Sequence, residues 1–394
     1  MRRSKARTKN AVGGYLSDVL QTALRFLPFP VKTGLRRLGN PDRRSPVFVT
    51  GNFGLTVRRV ARVLRGIDAY LLVANTRGIN VWCAAAGGHF TTDDVVSVIK
   101  TSGIGDLVEH RRLILPQLSA TGVERSALEE RTGWRPVFGP VYAEDIPAYL
   151  DNHYRKTERM RTVRFDLGQR LEMAVMWAFP ISTIPLVPLL VWWRGLALPF
   201  LALVWALALL TFVGFPWLPR RAVVSSEHTL PGWTRYLIVF DQRSQKVLVV
   251  WAMLVAGLAA YGRLAAGWHW TAILGWGLAG LAIALLISLD LAGSTPVYKS
   301  GLHEDRLLRV ELDLDRCEGR AICQQVCPKN CYEIDSKLHK ARILSESECV
   351  QCGACIVQCP EDALAFVDPV GRRIPPEQIR KYKLNLTGDR VVSA

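Results

Sequence analysis

Four apolar segments in the middle of the chain constrain its fold more than any other feature. They run from about Glu172 to Trp193, Leu196 to Leu218, Val247 to Ala265 and Trp270 to Leu291. Each is about 20 residues long, and a helix of that length, at ~1.5 Å per residue, crosses a ~30 Å hydrocarbon core. The interior prolines (Pro180, Pro185, Pro188, Pro199) are tolerated in lipid, where neighbouring helices re-satisfy the freed backbone groups. A buried bundle in water would need polar outer faces, and these runs leave none. Residues 170–292 are therefore expected to form a four-helix transmembrane domain inside a multidomain membrane protein.

Charge sets the expected orientation. The chain carries 50 Lys and Arg against 34 Asp and Glu, a net charge of +16, yet only 21% of its residues are charged and 49% are hydrophobic. That composition excludes a disordered chain and suits charge gathered on one side of a bilayer. Arg220, Arg221, Arg235, Arg243 and Lys246 lie between the second and third spans, whereas the tight connections near Gly195 and Gly267 offer only Arg194 and Arg263. The basic loop is expected in the cytoplasm, and an even number of spans puts both termini and the flanking domains there too, at the inner membrane. Residues 1–44 hold eleven Lys or Arg, with Leu16, Val19, Leu20, Leu24 and Leu27 interleaved. They read as a basic amphipathic arm on anionic lipid, or else as a plain solvated tail. The aromatic interleaving of a nucleic-acid surface is missing, so no nucleic-acid partner is expected. Asp18 and Arg25 interrupt Tyr15–Leu27, so no secretory signal is expected.

Residues 45–165 alternate short apolar runs (46–50, 69–74, 112–115, 136–138) with stretches of helical period (55–64, 93–101, 124–131, 144–153). This predicts an α/β, Rossmann-like domain with a largely parallel sheet. Gly, Asn and Thr cluster at the predicted strand ends, as in Thr50-Gly-Asn-Phe-Gly54, and ligands of open α/β sheets bind over those ends. Neither a phosphate loop nor GxGxxG is present to support a nucleotide.

Eight of the nine cysteines lie between Cys317 and Cys359, which argues for reduced thiolates holding metal. Cys349-Val-Gln-Cys352-Gly-Ala-Cys355-Ile-Val-Gln-Cys359-Pro360 is a complete CxxCxxCxxxCP run, in which the fourth cysteine serves the other cluster of a pair. Zinc also uses CxxC pairs, but the doubled run favours iron–sulfur. Upstream, Cys317-Glu-Gly-Arg320-Ala-Ile-Cys323-Gln-Gln-Val-Cys327-Pro328 carries arginine at the second ligand position. The crossover gives Cys327, Cys349, Cys352 and Cys355 to one [4Fe-4S] cluster and leaves Cys317, Cys323 and Cys359 one thiolate short. Arginine has no lone pair to offer. The second cluster is then [3Fe-4S], a labile [4Fe-4S], or lost. Residues 301–368 thus read as an α+β dicluster ferredoxin, followed by a basic tail over 369–394. The stretch Cys323-Gln-Gln-Val-Cys327-Pro-Lys-Asn-Cys331 resembles seven-iron ferredoxins, in which a free cysteine sits at the place of Cys331 and the missing ligand goes with a three-iron cluster.

Cys83 stands alone in Gly78-Ile-Asn-Val-Trp-Cys83-Ala-Ala-Ala-Gly-Gly-His89. By itself a lone cysteine in an apolar stretch is most often a packing residue. However, Asn80-Val-Trp-Cys83-Ala-Ala85 resembles the cap helix of the mercury-methylating corrinoid protein HgcA. Gly39-Asn-Pro41, Val47-Phe-Val-Thr50, His110-Arg-Arg-Leu-Ile-Leu-Pro-Gln117, Gly139-Pro140 and Gly293-Ser-Thr-Pro296 also look like family positions. The dicluster segment is similar to the family's separate ferredoxin, HgcB, here fused in one chain.

The resemblance implies a cobalamin-type corrinoid over the strand ends, with Cys83 as lower thiolate ligand and catalytic residue. Asn80, Val81, Trp82, Ala84, Ala85 and Thr50 would bind the cofactor. It further implies methyl transfer from an upstream donor protein or a methyl-folate, a low-potential reductant feeding the clusters, and Hg(II) as methyl acceptor. Two departures stand against mercury. The family's cap lysine is replaced by Gly87, with His89 nearby, and the chain ends Arg390-Val-Val-Ser-Ala394 without the terminal cysteine pair. Corrinoid methyl transfer to another acceptor, and a membrane-bound ferredoxin-type electron carrier with no corrinoid, are the rival readings.

Overall fold

A computed structural model describes residues 16–217, 245–264, 267–288, 308–368, 371–384 and 390–392. The chain divides into two compact units. One comprises Met1–Leu27, Phe165–Val224 and Phe240–Ala292; the other comprises Pro28–Arg164, Ser225–Val239 and Gly293–Ala394.

After helix α1 (residues 16–23), the second unit begins with an α/β layer. In chain order its elements are β1 (Gly34–Leu38), β2 (Val47–Gly51), α2 (Gly54–Val63), β3 (Ala69–Ala74), α3 (Val81–Ala86), α4 (Thr92–Ser102), α5 (Ile104–Leu107), β4 (Arg112–Leu115), α6 (Arg125–Thr132), β5 (Arg135–Phe138), α7 (Ile146–Asp151) and α8 (Glu158–Arg161). The sheet order is β1-β3-β2-β4-β5, with β2 to β5 parallel and β1 antiparallel to β3. Successive side chains of a strand face opposite ways, so both faces fill. Val47, Val49, Tyr70 and Leu72 pack with Val95, Ile99 and Leu128 on one face; Phe48, Leu71, Val73 and Ile114 pack with Val57, Leu64 and Tyr149 on the other. The sheet is mixed rather than purely parallel, because β1 falls within the stretch read as a basic arm. Arg36 and Arg37 hide it from an apolar-run search, and such charges are what an edge strand tolerates.

The first unit holds α1 and four long helices: α9 (Leu167–Trp192), α10 (Arg194–Val213), α11 (Gln245–Leu264) and α12 (Trp270–Ser288). All four are long and apolar enough to cross a membrane. Large apolar side chains such as Ile184, Val187, Leu198, Leu274 and Leu278 point outward, as a lipid-facing surface requires. Inside, Gly277 and Gly280 let α12 approach α11 closely: Trp251 Nε1 donates to Gly277 O at 2.9 Å, and a Cβ at Gly280 would lie 3.2 Å from the Trp251 ring. Arg25, just after α1, pairs with Glu172 of α9 at 3.3 Å, and Arg170 donates to Val213 O at 2.8 Å. Leu16, Val19, Leu20 and Phe26 are exposed. The loop residues Arg220, Arg221, Arg235 and Arg243, and the segment Gly293–Pro296, lie outside the described residues.

The second unit resumes with β6 (Arg309–Leu312), α13 (Ile322–Val326), β7 (Tyr332–Asp335), β8 (Lys340–Ile343), α14 (Ala354–Gln358), β9 (Leu364–Val367), β10 (Arg373–Ile374), α15 (Pro376–Lys381), β11 (Tyr382–Leu384) and β12 (Arg390–Val392). An antiparallel sheet β10-β9-β6 and the hairpin β7-β8 enclose the cysteine helices. Part of the stretch read as a basic tail is structured: β10 pairs with β9, and Ile379 of α15 is buried against Phe366 and Ile356.

Candidate cofactor sites

The loop ends of β2 and β3 are drawn together by Asn52. Its Oδ1 accepts from Thr76 N (2.8 Å), Thr76 Oγ1 (3.0 Å) and Gly78 N (2.9 Å). A Cβ at Gly51 would meet Thr76 Cγ2 at 2.5 Å, and one at Gly78, where φ is +73°, would meet Pro30 N at 2.5 Å. Thr50 is buried at the end of β2, beneath these loops.

Helix α3 starts from that platform. Asn80 is its N-cap: Oδ1 accepts from Cys83 N at 3.0 Å, and Nδ2 donates to Cys83 Sγ at 3.3 Å. One amide thus fixes the helix start and aims an N–H at the sulfur, the partner that orients a thiolate ligand. Val81, Trp82, Ala84 and Ala85 are buried and anchor the helix, while Cys83 is half-buried. A soft sulfur, partly accessible on a helix beside the strand ends and held by its neighbour's amide, fits a cobalt ligand. At Gly87 a Cβ would lie 2.9 Å from Cys83 O, so the helix end is closed to any side chain there. Burial, then Arg77, holds His89 below the ordinary imidazole value, and its Nδ1 is buried with no hydrogen-bond partner among the described residues.

In the C-terminal part, backbone N–H groups converge on sulfur. Ala341 N donates to Cys317 Sγ, Cys331 N to Cys327 Sγ, Gln351 N to Cys349 Sγ and Ala363 N to Cys359 Sγ, all at 3.3–3.4 Å, and Tyr332 OH donates to Cys355 Sγ at 3.1 Å. Such donors stabilise the charge of cluster thiolates. The sulfurs also group across the two motifs. Burial pushes Cys323 up to about 12, and the neighbouring sulfurs that add to it are Cys317, Cys359 and Cys327. Burial likewise raises Cys352 and Cys355; Cys327 and Cys349 add repulsion at both, and Cys352 adds to it at Cys355. Cys327 thus lies within electrostatic range of the downstream sulfurs and of Cys323, and Cys359 lies within range of Cys323. The donor set fits clusters. Buried Cys331 lies beside Cys327 and Cys349; hydrogen bonding to these sulfurs raises Cys331, and its bond to Cys327, with backbone N–H groups, lowers Cys327 to about 7.

Arg320 occupies the structural counterpart of Cys352. Each precedes a left-handed N-cap, Ala321 (φ +58°) before α13 and Gly353 (φ +73°) before α14. Yet the guanidinium is 61% exposed and turned to Glu318 (2.8 Å) and Glu361 (3.2 Å).

A further set of residues joins the two parts of this unit, a role that sequence reasoning did not assign to any of them. Gln358 Nε2 donates to Ala120 O and Val123 O, both at 2.7 Å, and its Oε1 accepts from Arg125 N at 3.1 Å. Lys156 Nζ reaches Gln117 Oε1 (2.8 Å) and Gln325 O (2.7 Å), and Val163 N donates to Pro328 O at 2.8 Å. Val326, Ala354 and Cys352 pack into the core that contains Ala84, Ala85 and Phe90. Polar residues used in this way have no periodic signature.

Comparison with known proteins falls on these two regions. Residues 17–150 match the family model described as CO dehydrogenase/acetyl-CoA synthase delta subunit, and residues 343–365 match the 4Fe-4S binding domain. The α/β part is similar to curated proteins of corrinoid iron–sulfur type. It is 41% identical over 126 residues to the acetyl-CoA decarbonylase/synthase complex subunit gamma of Methanopyrus kandleri, covering 32% of this chain and 27% of the relative. The corresponding subunit of Archaeoglobus fulgidus is 38% identical over 133 residues, 33% of this chain and 28% of that one. The corrinoid/iron-sulfur protein large subunit of Moorella thermoacetica is 34% identical over 125 residues, 31% and 28%. The chain thus spans little more than a quarter of the length of these relatives.

Proposed function

We propose that this protein is a membrane-anchored corrinoid iron–sulfur protein that transfers a methyl group, with its fused ferredoxin as reductant. The observation that carries the reading is the amide of Asn80 clamping Cys83 at a corrinoid-type strand-end platform. When bound there, a corrinoid supplies a cobalt centre that takes up a methyl group and passes it on. Cys83 would hold that centre through its sulfur. Asn80 orients the sulfur, Val81, Trp82, Ala84 and Ala85 seat the helix, and Thr50 and Asn52 support the platform beneath. Cys327, Cys349, Cys352 and Cys355 would hold a [4Fe-4S] cluster; Cys317, Cys323 and Cys359 would hold a [3Fe-4S] cluster, because Arg320 turns away to Glu318 and Glu361. The four apolar helices would anchor the chain in the cytoplasmic membrane, with the other domains in the cytoplasm. The methyl donor is a methylated protein or folate. Hg(II) is the first acceptor to test, on the strength of the cap motif; other metals, metalloids and thiols follow.

Metal analysis of anaerobically purified protein from a corrinoid-supplied host is the test. About one cobalt with roughly six to eight irons per chain is expected. Cys83→Ala should abolish methyl transfer with the iron–sulfur signals intact. Asn80→Ala should weaken cobalt retention and cost about 1 kcal/mol of helix capping. Iron without cobalt would instead establish an electron carrier.

A further inference from the structure

We infer that Gln358, Gln117 and Lys156 form a polar lock that seats the ferredoxin over the loop that follows β4, with its four-thiolate half turned inward beside the Cys83 helix and its three-thiolate half left outward to meet an external electron donor. This rests on the functional reading above.

The loop that the lock grips follows β4 and leads into α6. Gln117 is 1% exposed, and besides receiving Lys156 it donates to Arg161 O (2.7 Å) and Val326 O (3.4 Å). Gln358, 4% exposed, takes the carbonyls of Ala120 and Val123 with one amide and the N–H of Arg125 with its oxygen. Each half of that side chain is spent on the other module, and a buried amide left without those partners is costly. Between the two gripped carbonyls lies Gly122, where a Cβ would meet Phe90 O at 2.2 Å and Ala85 O at 2.9 Å. The gripped loop therefore bears directly on the helix that carries Cys83.

The two halves of the ferredoxin differ in what covers them. Val326 and Ala354, neighbours of ligands Cys327 and Cys355, and Cys352 itself join the α/β core. The loop that bears Cys317 and Cys323 instead presents the exposed side chains of Glu318 and Arg320, with Glu361 beside them. With the cofactors bound, a low-potential one-electron donor would be oxidised at that face and a corrinoid held at Cys83 would be reduced by way of the four-thiolate half, with no bond made or broken.

The test uses the full chain in detergent, with clusters and hydroxocobalamin loaded and titanium(III) citrate as donor. Pulsed electron paramagnetic resonance should give one narrow cobalt–cluster distance, shorter for the four-iron centre than for the other. In Gln358→Met that distribution should broaden and internal electron transfer should slow roughly tenfold or more, with cobalt content and cluster g-values unchanged. Hydrogen exchange at 120–125 should rise in the same variant. Gln117→Met is the second variant, and it should do the same should Gln358→Met fail to fold. A shorter distance to the outer centre, or unchanged transfer and exchange in a folded variant, overturns the lock. Failure to bind any cobalt overturns the functional reading itself.

Discussion

Arg320 stands where the second cysteine motif has a thiolate, in a loop whose backbone is otherwise kept. The left-handed turn that presents Cys352 is reproduced at Ala321, so the backbone of a fourth ligand is present without the thiolate. The guanidinium is instead held at the surface by Glu318 and Glu361, exposed pairs that contribute little stability. Arg320→Cys should therefore fold normally and convert an oxidised three-iron resonance into a reduced four-iron one in the spectrum. Absence of a three-iron signal in the parent protein would refute the assignment. This site is legible in the cysteine spacing, as is Cys83 in its motif. Asn52 is not, because its work is to gather loops from two strands, a relation that neighbours in sequence do not reveal.

At the level of elements, strands β2 to β5 are legible because each is a short apolar run, and the four long helices because each is dominated by an apolar run of about 20 residues. β1 and α15 escape because each carries charge on an exposed face and buries only a few apolar groups. The seam between the loop after β4 and α13–α14 escapes for a related reason, being made by amides and an amine. That amine has a measurable consequence. Burial, then Arg161, depresses Lys156 to about 7 from 10.5. From about pH 7 up to 10.5 the unfolded chain binds a proton that the folded one has released, so stability rises with pH through that window and the penalty is fully present below it. The melting temperature should climb as pH is raised above 7. Lys156→Met, which carries no proton at any pH, should flatten that part of the profile.

For the whole molecule, the four apolar helices give a direct expectation. Carbonate washing should leave the protein in the membrane fraction and only detergent should release it, as for chains that span rather than lie on a bilayer. Recovery in the carbonate supernatant would exclude spanning. The seam also sets a timetable for biosynthesis. Ala120 and Val123 are made 238 and 235 residues before Gln358 closes on them. At ribosomal speeds of ~5–20 residues per second, more than about ten seconds separate the two halves. Until Gln358 emerges, the carbonyls of Ala120 and Val123 that it later takes have only water to satisfy them.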